Sequence, residues 1–224
     1  MASTGFAGFP AAAFDFFARL ELDNSKAFFT ANKSVYDEAV KQPFAALSDA
    51  IERRYGALHV FRPYRDVRFS KDKTPYKTAA GAVTESQGGS SYFVQVSAEG
   101  LFVGCGMYHM AGDQLERYRG ALDDGRVGGA ITKIAEALRA KGYDISAMES
   151  LKTAPRGYPK DHVRIELLRM KGLTTGRSFP VARWLSTPKA LERVTAVWDD
   201  AKPMNAWLER NVGPSTLAPP EPDF

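Results

Sequence analysis

Between Arg62 and Lys77 the chain reads RPYRDVRFSKDKTPYK, with a cation every two to four residues. Arg62, Arg65, Arg68, Lys71, Lys73 and Lys77 stand against Asp66 and Asp72 only, a net charge of +4 in one short window. Arginine offers a planar fork that matches a carboxylate or a phosphate, and lysine offers a mobile point charge. Tyr64, Ser70, Thr74 and Tyr76 add hydroxyls, and Pro75 stiffens the chain just before Tyr76. This is chemistry for holding an anion.

A second window, Lys152 to Lys171, reads KTAPRGYPKDHVRIELLRMK and again nets +4. The whole chain of 224 residues nets only +4, so the remainder carries −4. A cleft lined by one sign of charge concentrates the opposite ion. The expected site is therefore a basic pocket built from Arg65, Arg68, Lys71, Lys73, Tyr76 and Lys77. Arg156, Lys160 and Lys171 would close it from the second window. The expected occupant is a small molecule bearing phosphate or carboxylate. The competing structural reading is two solvated basic faces, with Arg156-Gly157-Tyr158-Pro159 a turn in either case.

Chemistry at such a site has candidates: Lys73 or Lys77 with a lowered pKa, Tyr76 as an acid, and Asp66, Asp72 or His162 as a base. Asp161-His162 also reads as a helix cap. The chain lacks G-x-S-x-G, Walker and H-E-x-x-H patterns, so it assigns no reaction and no cofactor. An alternative partner is single-stranded nucleic acid stacked on Tyr64, Phe69, Tyr76 and Phe93. Another is an acidic protein docked on the basic face. The acidic remainder of the chain opposes an extended polyanion.

Composition bounds these readings. With 44% apolar and 25% charged residues the chain is an ordinary globular one. A lone cysteine, Cys105, excludes an internal disulfide. His59, His109 and His162 lack zinc-ligand spacing, so no metal ligand is assigned, while an oxygen-ligated magnesium or calcium site has looser signatures that the sequence does not exclude. No stretch has the length of a membrane span, and Met1–Pro10 lacks the features of a signal peptide. A cytoplasmic protein is expected.

The elements that must position these residues are read from periodicity. Phe14, Phe17 and Leu20 after Pro10, then Phe28, Phe29, Val35, Tyr36 and Val40, predict two helices, the second kinked or restarted at Pro43. Strands are expected over 59–70, 78–84, 91–97 and 101–108, the last two joined by a hairpin at Ala98-Glu99-Gly100. Gly104 and Gly106 share one face of the last strand, open to a ligand or to another backbone. Asp113-Gln-Leu-Glu116 reads as a capping box, followed by helices to Leu122 and over 129–141. A short helix near 163–168, a strand over 172–179 and a helix starting at Ser186-Thr187-Pro188 complete the chain. The fold class is α+β: one domain over 1–212, a mostly antiparallel central sheet flanked by N-terminal and C-terminal helices. Residues 213–224, with four prolines, read as an extended or loose tail.

The string RDVRFSKDKTPYK, Arg65 to Lys77, resembles the hallmark of the family catalogued as domain of unknown function 2461, found in bacteria and fungi. NSKAFFTANKSVYDEAVKQPF (24–44), FVGCGMY (102–108), LERYR (115–119) and PRGYPKDHVRIELLRMKG (155–172) extend the likeness over nearly the whole chain. Family members typically carry tryptophan near Phe28 and proline shortly after Tyr108, where this chain has Phe28 and His109-Met110-Ala111. The resemblance implies one folded unit and draws attention to the hallmark, but it implies no reaction.

Overall fold

Helix α1, Ala11–Leu22, follows Pro10 in extended conformation and buries Phe14, Phe16, Phe17 and Leu20, an apolar stripe at helical spacing. The computed structural model describes residues 5–68, 71–84 and 88–217. Ser25 caps α2, Lys26–Ala31, by accepting the Phe28 N–H at 3.1 Å. Helix α3, Lys33–Tyr36, runs through a π-helical turn, Asp37–Lys41, into α4, Gln42–Tyr55. Pro43 therefore neither breaks nor restarts the chain as an isolated event. A proline crowds the carbonyl four residues back, and a locally widened turn absorbs that crowding.

Six strands among the described residues form one antiparallel sheet: β1 Leu58–Val60, β2 Ala79–Thr84, β3 Ser91–Ser97, β4 Gly100–Met107, β5 Asp144–Ser146 and β6 Leu173–Pro180. Their order is β1-β2-β3-β4-β6-β5, which leaves β1 on an edge. Gly100 takes φ 129° at the predicted hairpin. Helices α5 Gly112–Asp123, α6 Gly125–Ala140, α7 Ile165–Arg169 and α8 Lys189–Asn211 complete the fold, with a 3-10 turn at Arg183–Ser186. The α+β class follows from this order.

By internal contacts the chain divides into two compact units. The first holds the described residues of Met1–Glu85, Tyr92–Val103 and Ser178–Val197, the second those of Ser86–Ser91, Gly104–Arg177 and Trp198–Phe224. In the first unit, Phe9 meets Phe44 edge-on at 5.1 Å, and Val94, Val96, Leu101 and Val103 supply buried strand positions. In the second, Trp198 is fully buried and its indole N–H donates to the Gly104 carbonyl at 3.0 Å. The approach to the Gly104–Gly106 face is thus made by the protein itself. A side chain on Gly106 would lie 2.1 Å from the Leu173 carbonyl oxygen.

Several local expectations change. The strand foreseen over 59–70 stops at Val60, because Pro63 has no N–H for a ladder; Phe69 and Ser70 lie outside the described residues. Asp113 is not a cap: α5 starts after Ala111, whose N–H donates to Gln114 Oε1 at 2.9 Å. Asp113 instead accepts from Ser215 Oγ and the Thr216 N–H, each at 2.8 Å, while Gln114 holds the Gly213 carbonyl. Residues 213–217 are consequently pinned, not loose, and 218–224 lie outside the described residues. Helix α6 begins at Gly125, four residues earlier than expected, because Asp124 accepts the Arg126 and Val127 N–H groups. At α8, the Thr187 hydroxyl donates back to the Trp184 carbonyl and the Ser186 hydroxyl donates to the Phe9 carbonyl.

Candidate functional site

The described residues of the hallmark, 65–68 and 71–77, lie in the first unit and meet at a two-stranded neck. Tyr64 and Tyr76 form an isolated bridge; the Arg65 N–H donates to the Pro75 carbonyl at 2.9 Å and the Lys77 N–H to Pro63 at 2.8 Å. Asn24 extends this pairing with its side chain. Its Oδ1 accepts the Tyr76 N–H and its Nδ2 donates to the Tyr76 carbonyl, both at 3.0 Å. Asn24→Ala strips both partners from a part-buried peptide and is expected to cost about 1–3 kcal/mol. Urea denaturation checks this; a loss within ±0.5 kcal/mol would show that the neck does not need the amide.

Inside the loop most of the charge is spent locally. Arg65 reaches the Asp72 carboxylate and, at 2.6 Å, the Thr74 hydroxyl. Arg68 forks onto Asp66, with Nη2 2.8 Å from Oδ2, and Lys73 Nζ donates to the Val67 carbonyl at 2.8 Å. The Arg68 guanidinium lowers the Asp66 pKa to about 2. The Thr74 N–H and hydroxyl, then Arg65, lower Asp72 to about 2. Carboxylates so stabilised are poor proton acceptors near neutrality. Burial, and the neighbouring Tyr64, push the Tyr76 phenol up, which makes it a poorer acid. Lys71 is exposed.

The remaining predicted residues belong to the second unit. Arg156 and Lys160 are exposed, and Lys171 Nζ pairs with Glu149 at 2.8 Å. Arg164 and Arg169, in the same window, donate to the Leu122 and Lys152 carbonyls, a structural use of charge. His162 Nδ1 accepts the Arg164 N–H at 3.0 Å and its Nε2 lies 3.2 Å from Asp123, the geometry of a local cap. Among the described residues no three His, Cys, Asp or Glu side chains group as metal ligands. No helix among them is long and apolar enough to cross a membrane.

The concavity in the first unit lies beside the hallmark loop. It is a groove of about 610 Å³, within the usual ~300–1,000 Å³ of ligand pockets. One wall is the helical run, where Lys33, Tyr36, Asp37 and Lys41, then Phe44, Ala45, Ser48 and Asp49, recur every three or four residues on one face. The other wall is Leu58 and Val60 of β1 with Phe61, Arg62, Pro63 and Tyr64, and Phe29 also lines the groove. The hallmark stands behind this wall. The Tyr76 ring lies flat on Phe29, centroids 4.1 Å apart and planes 5° apart, and Lys77 Nζ sits 5.4 Å above the Phe61 ring.

The groove has an apolar floor and a charged rim. Asp37 is held below the usual carboxylate range by the Lys33 hydrogen bond, with Lys41 adding at 3.4 Å. Burial, and the Asp37 charge beside it, push Tyr36 up to about 12, so its phenol remains a neutral donor at physiological pH. Arg62 has no ion pair among the described residues.

Of the predicted site residues, Tyr76 and Lys77 back this groove, whereas Arg65, Arg68 and Lys73 brace the loop. Lys33, Tyr36 and Lys41 went unselected because their i, i+4 charges match an ordinary solvated helix face. The available signal was that their segment, 24–44, carries part of the family likeness.

Comparison with known families bears this out over most of the chain. Residues 12–207 match the family described as conserved hypothetical protein, DUF2461. The chain belongs to DUF2461. The match spans both walls of the groove, the hallmark loop and both units. Within this DUF2461 chain the Phe28 position keeps an aromatic role: the Arg19 guanidinium lies 5.3 Å from its ring centroid. Curated proteins give no match to the sequence.

Proposed function

We propose that the groove binds a small ligand that joins an apolar or aromatic body to a phosphate or carboxylate. The observation that carries this reading is that the exposed Lys33, Lys41 and Arg62 line the same groove as Phe29, Phe44, Leu58 and Phe61. Asp37 pairs with both lysines, and Arg62 adds a cation with no ion pair among the described residues, able to form a charge-assisted bond. Tyr36 and Tyr64 line the same groove and carry hydroxyls. The anion preference inferred from the sequence is kept, with its centre moved from the loop to the groove.

The test is calorimetric titration with phenyl phosphate, benzoate and inorganic phosphate. Phenyl phosphate is expected to bind at least about tenfold more tightly than inorganic phosphate, since a buried ring contributes ~1.5–3 kcal/mol. The Arg62→Ala/Lys41→Ala double variant is expected to weaken phenyl phosphate about tenfold. Equal affinity of the double variant and the parent, or no binding by the parent, rejects the groove as an anion site.

A further inference from the structure

The groove wall formed by β1 is a sheet edge on which the outward backbone groups of Val60 have no partner among the described residues. Phe61 donates its N–H to the Gly81 carbonyl at 2.9 Å, so Phe61 and, two residues back, His59 are the hydrogen-bonded partners of β2. The intervening Leu58 and Val60 turn their N–H and C=O away from β2. Ser48 Oγ takes the Leu58 N–H at 2.9 Å, and Ser48 itself lines the groove, which places the groove along this outer edge. Among the described residues nothing takes the Val60 N–H or C=O. An open edge of this kind is a template for one more strand.

The side chains define what that strand carries. Leu58, Val60 and Arg62 all line the groove, an apolar pair followed by a cation. Directly opposed residues of an antiparallel pair share a face, so the residue opposite Val60 must be apolar and the one opposite Arg62 acidic. Leu58 to Arg62 is five residues, four rises of ~3.3 Å or ~13 Å, enough for a peptide of four to five residues. We infer that the groove accepts a short extended peptide with the pattern acidic-x-apolar, paired antiparallel to the outer edge of β1, its carboxylate on Arg62. This rests on the groove being an anion site, and it names the class of ligand.

The probes are Ac-Glu-Thr-Val-Thr-NH2, the same peptide with an N-methylated valine, and phenyl phosphate. The unmodified peptide is expected to bind and to displace phenyl phosphate. N-methylation removes the donor to the Val60 carbonyl and is expected to weaken binding about tenfold or more, with the carboxylate untouched. In amide-exchange measurements the Val60 N–H is expected to become protected only with the unmodified peptide. If both peptides bind alike, or if phenyl phosphate binds and neither peptide competes with it, strand pairing is overturned while the anion site stands. If none of the three binds, both readings fall.

Discussion

Phe29→Ala is expected to destabilise the protein by about 3–5 kcal/mol and to abolish binding in the groove. Phe29 is 5% exposed, lies flat on Tyr76, meets Phe16 edge-on at 5.8 Å and sits 5.2 Å from Tyr36. Removing its ring takes the support from behind the hallmark neck and from the groove floor at once. For a chain of this size the melting temperature should fall by roughly 6–20 °C. Phe29→Leu retains most of the apolar volume and should cost about 1.5 kcal/mol or less. Thermal and urea melts distinguish the two variants. An alanine variant within 1 kcal/mol of the parent would mean that the aromatic stack contributes little.

Gly106→Ala is expected to cost more than about 4 kcal/mol, or to prevent folding altogether. Two penalties act together there. The residue has φ 130°, a conformation that costs a side-chain-bearing residue ~1–3 kcal/mol. The added methyl would also lie 2.1 Å from the Leu173 carbonyl oxygen and 2.8 Å from Thr174 Cα, both backbone atoms that cannot rotate aside. Gly120 in α5 is the matched control: a methyl there meets nothing within 4 Å, and alanine should stabilise by ~0.5–1 kcal/mol through helix propensity. Denaturant melts of the two variants should move in opposite directions. Parallel behaviour would refute the steric account.

These effects show where sequence reading succeeded and where it stopped. Helix α1, strands β2 to β4 and their hairpin were legible because each shows its own period and punctuation: Phe14, Phe17 and Leu20 after Pro10, alternation in 91–97, and a glycine at the turn. The π-helical turn before Pro43 was not, since a widened turn and a kink satisfy the same proline. The cap at Asp113 was misassigned for another reason. Its side chain found partners at Ser215 and Thr216, and a cap motif does not announce such competitors.

By itself the sequence determined the family, the α+β order of elements and the concentration of charge in two segments. Composition, periodicity and a long specific string are local properties, and they survive without knowledge of contacts. Only the tertiary structure decided how that charge is used. Arg65 and Arg68 turn to Asp72 and Asp66 of their own loop, while Tyr76 and Lys77 pack behind Phe29 and Phe61. Arg62 lines the groove with no ion pair among the described residues, across from a helix face that includes Lys33. Whether a charge is spent or available depends on which side chains the folded chain brings within hydrogen-bonding distance, and spacing along the chain does not carry that distance.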